Sequence, residues 1–211
     1  MYFDFSKLNG KDSYKLLAST IVPRPIAWVV TVSASGGLNA APFSFFNAFS
    51  GDPPIVCLGI GIGLHGMKDT LRNLQETGEL VINMVSEANV AAMNLTAAPF
   101  PEHVDEMQAA GLTTCASSFV KPPRIAESPA SFECRVRDIQ VLGGPNHLVI
   151  AEVLAANIAD RVISDPGKCR IDASKLELVG RMESPGWYVR TSDRFMLKQP
   201  KLGDMAMATV D

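Results

Sequence analysis

Residues Arg24 to Ser50 read RPIAWVVTVSASGGLNAAPFSFFNAFS, and this stretch decides the fold. Pro23 and Pro25 flank Arg24, and each proline pushes the residue before it toward extended backbone. Ile26 to Val32 is almost wholly apolar and rich in β-branched residues, as in a strand buried on both faces. Ser33-Ala34-Ser35-Gly36-Gly37 is a turn, and Leu38 to Phe43 returns as a second strand, giving a hairpin. After Pro42 the segment Ser44-Phe45-Phe46-Asn47-Ala48-Phe49-Ser50 alternates aromatics with small polar residues and follows neither a helical nor a strand period. That pattern suits the lining of a pocket for a flat ring with polar edges.

Outward from this hairpin, Asp52-Pro53-Pro54 marks a turn, and Ile55 to Ile60 reads as a third strand. Lys68 to Thr77 reads as a short helix. Asp69 or Thr70 is its expected N-cap, Leu71 and Leu74 share one face, and Gly78 follows as the C-terminal residue of left-handed conformation. Glu79 to Met84 is a fourth strand. Tyr14 to Ala18 reads as one helical turn in a lead-in, and Ser86 to Gly111 as helix in pieces. In Ser131 to Val141, Phe132, Cys134 and Val136 alternate on one face, whereas Ile139 and Val141 continue on odd numbers. That slip predicts a β-bulge near Arg137-Asp138. His147 to Ala156 closes a second hairpin, and Trp187 to Arg190 is a short late strand. Two hairpins and a single βαβ-like unit predict an antiparallel sheet or barrel, mainly β with inserted helices.

The chain has 211 residues, a net charge of -3 and 47% hydrophobic residues. This size suits one domain, residues 1–211, with a C-terminal tail from about residue 195. The mildly acidic balance argues against nucleic acid or an anionic membrane as the main partner. Charged residues or prolines interrupt every apolar run before it could span a membrane, and no signal peptide is visible, so a cytoplasmic location is expected. Cys57, Cys115, Cys134 and Cys169 have no paired spacing and read as reduced, buried thiols. His65, His103 and His147 have no metal-ligand spacing, so no metal is expected.

Two candidate sites remain. Gly61-Ile62-Gly63-Leu64-His65-Gly66 is a literal G-x-G-x-x-G between a strand and a helix, with Glu87 about twenty residues on. It reads either as a dinucleotide fingerprint of a parallel doubly wound sheet or as a glycine loop that lets backbone pass close to a ligand. Lys68, Asp69 and Thr70 open the following helix. A point charge, a hydroxyl and exposed N–H groups make a phosphate site, unless Asp69 merely caps the helix and Lys68 is solvated.

RPIAWVVT, APFSFFNAFS, DPP and KDTLRN, in this order and spacing, resemble the flavin reductase-like family of FMN-binding split barrels. NHLVIAEV and GRMESPGWYVRTSD are similar to later family segments. The resemblance implies a six-stranded antiparallel split β-barrel, a homodimer, and FMN bound near the subunit interface. It implies that Thr31 and Ser44, Phe45, Phe46, Asn47, Ala48, Phe49 and Ser50 contact the isoalloxazine and ribityl chain, largely through backbone groups. It implies that Lys68, Asp69 and Thr70 hold the phosphate. Arg24 reaches the phosphate or ribityl chain, or else anchors the first strand by a salt bridge. His147 stands where the family often carries a histidine near the nicotinamide, or is a structural histidine. Trp187 and Arg190 match a segment that packs near the flavin or dimer interface, or in the core.

The implied activity is NAD(P)H-dependent reduction of flavin or another small acceptor, with a partner oxygenase as a further recipient. No acyl-transfer nucleophile motif competes with it, and in hydride transfer the flavin carries the chemistry. Two alternatives are a non-catalytic FMN electron carrier fed by a protein partner, and an NAD-binding dehydrogenase on the glycine motif.

Overall fold

A computed structural model describes residues 1–63, 66–101 and 104–200. The middle of the Gly61–Gly66 motif, two of the three histidines, and tail residues 201–211 lie outside the described residues. The chain begins with helix α1 (Gly10–Thr20), then strands β1 (Ala27–Val32), β2 (Leu38–Phe43), β3 (Phe46–Gly51) and β4 (Pro54–Ile60). Helix α2 (Asp69–Thr77) leads into β5 (Glu79–Met84), and helices α3 (Val90–Leu95) and α4 (Glu106–Ala109) follow. A small ribbon of β6 (Thr114–Cys115) and β7 (Arg124–Ile125) precedes the two long strands β8 (Ala130–Gly143) and β9 (Asn146–Ile158). Two more ribbons end the fold: β10 (Ile163–Asp165) with β11 (Arg170–Ile171), and β12 (Val179–Arg181) with β13 (Tyr188–Arg190).

The main sheet has seven strands in the order β2-β1-β5-β8-β9-β4-β3, and every neighbouring pair is antiparallel. It cannot be flat. Six gaps of about 4.8 Å would hold the edge strands about 29 Å apart. Yet β2 ends at Phe43 and β3, on the opposite edge, begins at Phe46. Three peptide steps reach at most about 11 Å. The sheet must therefore curl until its edges meet, which makes a barrel with its seam at Ser44-Phe45.

Two apolar clusters pack on the two faces of this wall. Ala27, Val29, Phe43, Leu58, Leu80 and Val149 belong to one, and Leu71 and Leu74 of α2 join it. Trp28, Val30, Val81, Met93 and Met107 belong to the other, between sheet and helices α3 and α4. Alternate residues of β1 thus enter different cores, which is why the strand is apolar without a break. Trp28 also donates its indole N–H to Thr96 Oγ1 at 2.9 Å. Register shifts in β8·β9 fall at three places, and the one between Val136 and Asp138 is the predicted bulge. It returns Ile139 to the same cluster as Val136.

Several expectations are corrected. The antiparallel sheet excludes the doubly wound parallel reading of Gly61–Gly66. Seven strands stand where six were implied, because the aperiodic segment after Pro42 forms the edge strand β3. Helix α1 is eleven residues long rather than one turn, with Asn9 Oδ1 accepting from the Asp12 N–H at 2.9 Å. The N-cap of α2 is Lys68, not Asp69 or Thr70, while Gly78 ends the helix at φ 67° as expected. Cys169 is exposed rather than buried. No helix among the described residues is long and apolar enough to cross a membrane.

Candidate ligand-binding site

Strand β2 and the start of α2 make one wall each of a cleft of about 930 Å³. Asn39, Pro42, Lys68, Thr70 and Glu106 line it, with Gly63 and Gly66 at its rim. A second, smaller cavity of about 440 Å³ shares Asn39, Asp69, Arg72 and Glu106 with it.

The charge pattern begins at α2. Lys68 sits at its N-cap with extended backbone, and among the described residues no side chain caps the helix. The first N–H groups of α2 therefore keep their donors and their share of the helix dipole. Lys68 Nζ lies 4.9 Å from the centre of the Phe43 ring, a cation–π distance. Burial pushes the Lys68 ammonium below its ordinary value. Among the described residues it has no ion pair. Asp69 instead pairs with Arg72 one turn on, so Asp69 neither caps the helix nor neutralises Lys68.

Behind this lies a buried polar network. Asn39 Nδ2 donates to Thr70 Oγ1 at 2.9 Å and to Thr31 Oγ1 at 3.4 Å. Asn73 Nδ2 donates to Thr31 Oγ1 at 3.0 Å, while its buried Oδ1 has no partner among the described residues. Thr31 is wholly buried, so it braces the asparagines and has no surface to offer a ligand, contrary to expectation. Glu106, only 8% exposed, accepts from the Ala40 N–H at 3.2 Å. Burial pushes its carboxyl up, and Asp69 and Asp105 push it the same way.

The remaining expected residues fall elsewhere. Ser44 Oγ accepts from Arg24 Nε at 3.3 Å, and Phe45 stacks on Tyr14 at 5.8 Å. The Gly59 N–H donates to the Phe45 carbonyl at 2.7 Å. Phe46 packs against the barrel interior, and Asn47 Oδ1 accepts from the Ala48 N–H at 2.8 Å. Asn47, Ala48, Phe49 and Ser50 are exposed on the edge strand. None of Ser44 to Ser50 lines either cavity. They are joined to it through β2, which carries Asn39 at one end and Phe43, under Lys68, at the other.

Arg24 is buried, but it grips carbonyls rather than a carboxylate: Ala18, Ile21 at 3.1 Å and Met182 at 2.9 Å. The expected salt bridge is thus replaced by a clamp between α1 and the segment before β13. His147 sits opposite Ile60 on β4, with Nδ1 3.2 Å from the Pro145 carbonyl, and lines neither cavity. Trp187 is 62% exposed, so it is no core residue of this chain. Arg190 pairs with Glu87 at 2.8 Å.

Asn39, Asn73 and Glu106 escaped the sequence reading. For Asn39 a signal existed: it is a lone polar residue in a strand whose neighbours are apolar. Glu106 had none, since an acidic residue beside Asp105 in a polar stretch reads as solvated.

Comparison with known proteins agrees with this architecture. A family model described as a flavin reductase like domain matches residues 18–168. An uncharacterized protein of Deinococcus radiodurans is 38% identical over 202 residues, covering 93% of this chain and 88% of that protein. The crystal structure of nitrilotriacetate monooxygenase component B from Bacillus cereus superposes with a TM-score of 0.87 at 33% identity, covering 93% of this chain and 98% of that one. The 2-nitrobenzoate 2-nitroreductase NbaA of Pseudomonas fluorescens gives 0.87 at 32% identity, covering 96% and 98%. A match over most of the barrel and relatives over nearly the whole length leave one assignment: the chain belongs to the flavin reductase-like family.

Proposed function

We propose that this protein is an FMN-dependent oxidoreductase that takes electrons from NAD(P)H and passes them to flavin, another small acceptor or a partner oxygenase. It acts as a homodimer. The observation that carries the reading is that, among the described residues, nothing caps the N-terminus of α2 or pairs with the half-buried lysine beside it. An anion completes both, and a terminal phosphate suits a helix N-terminus. Lys68 supplies charge, Asp69 and Thr70 supply backbone N–H groups, and Thr70 adds its hydroxyl. From Asn39, beside Thr70, β2 runs five residues to Ser44, about 17 Å at strand rise, and passes Phe43 under Lys68; that direction leads an elongated ligand toward the backbone of Ser44 to Ser50. Those groups are suited to the polar edge of a flat ring.

A bound flavin would supply the hydride chemistry, so the chain needs no nucleophile of its own. Its residues anchor the phosphate, orient the ring and exclude water. The Bacillus cereus and Pseudomonas fluorescens relatives are a monooxygenase component and a nitroreductase by name, which supports a redox role.

The test is the visible spectrum of the purified protein with FMN, followed anaerobically on adding NADH and then NADPH. Bleaching of the flavin band by either nicotinamide is expected. Bleaching by dithionite alone would remove the nicotinamide donor and leave a carrier fed by another protein. No FMN binding would overturn the flavin reading.

A further inference from the structure

Asn39 and Thr70 meet at the wall of the cleft, both buried, at 2.9 Å. Resting on the flavin-phosphate reading above, we propose that Asn39 is a positioning residue that makes Thr70 present a hydrogen-bond donor to the anion. A threonine hydroxyl both donates and accepts. Inside a helix its proton ordinarily turns back to a carbonyl of the preceding turn, but Thr70 is the second residue of α2 and has no such turn before it. Here Asn39 Nδ2 occupies the acceptor side of Thr70 Oγ1, which leaves the Thr70 proton to find its own acceptor.

Asn39 turns its Nδ2 to both hydroxyls, so it donates to Thr31 and Thr70 and takes neither proton. The geometry is held from behind, because Thr31 takes the second Asn39 contact and is itself held by Asn73. Thr31 has no exposed surface and so binds nothing else. The network thus fixes the polarity of one cleft wall without touching the ligand through its rear members.

Riboflavin carries the same ring without the phosphate, so the ratio of FMN to riboflavin affinity isolates phosphate recognition. Asn39→Ala and Thr70→Val should each lower that ratio, Thr70→Val by about 12- to 160-fold, the value of one hydrogen bond to a charged group. The double variant should fall no further than the worse single one, because both act through one contact. Thr70→Ser, which keeps the hydroxyl, should retain the wild-type ratio. An unchanged ratio in Asn39→Ala, or losses that multiply in the double variant, overturns the proposal.

Should Asn39→Ala fail to fold, seen as lost riboflavin binding, Asn39→Asp gives the same reading. Its carboxylate takes the Thr70 proton and adds repulsion, so the ratio should fall more than about 10-fold; an unchanged ratio overturns the proposal. A wild-type protein with no affinity for either flavin overturns the flavin reading itself, and the inference with it.

Discussion

Glu106 shows what one residue does to this site. Its carboxyl is buried beside Asp69 and Asp105, and its titration in the folded state lies above the ordinary 4.5. Between the unfolded and folded values the native protein holds the extra proton. Stability therefore falls as pH rises through that window. Glu106→Gln keeps an acceptor for the Ala40 N–H and cannot ionise. It should melt higher than wild type at neutral pH, and the difference should shrink once pH drops below the ordinary carboxyl range. Thermal melts of both proteins from acid to neutral pH check this; a difference in Tm that does not change with pH would show that the carboxylate carries no burden. This residue was also invisible in the sequence. Thr31, Asn39, Asn73 and Glu106 come from β1, β2, α2 and α4, and no local period records their meeting.

At the scale of elements, α2 is the informative case. Its span and its glycine stop were legible, because Leu71 and Leu74 face the barrel and Gly78 takes φ 67°. Its cap was misread: Asp69 is a favoured capping type, yet here it pairs with Arg72 and leaves the first N–H groups open. This open end is why Lys68 matters. Lys68→Ala should weaken FMN binding by about 1.5–3 kcal/mol, the range for a charge-assisted contact. Fluorescence titration of flavin measures it, and equal FMN affinity in both proteins would take Lys68 out of the site. Since burial lowers the Lys68 ammonium, its contribution should fade at a pH below that of an ordinary lysine. The bulge of β8 was legible for the opposite reason to the cap, because a phase slip in a half-buried strand is written in the residues themselves.

The whole molecule leaves several large apolar side chains exposed, among them Phe49, Trp187, Phe195 and Leu197. A contiguous apolar patch marks contact with another chain, and these side chains are the candidates for the interface of the proposed dimer. Sedimentation equilibrium should give about twice the 22.7 kDa chain mass. A species of 22.7 kDa at every concentration would rule out the dimer. Trp187 illustrates why sequence stopped short here: its segment left flavin, dimer interface and core open, and only the fold removes the core of this chain.

The seam has a further consequence. Ser44 and Phe45 alone join strands at opposite edges of the sheet. They work as the hasp of a hoop: their reach sets its circumference. The segment that begins there is also the one proposed to meet the ring of the ligand. Chain length between Phe43 and Phe46 is thus no free variable in the descent of this protein. Side chains can be exchanged along it, but a residue gained or lost would resize the hoop and the opening in the same stroke.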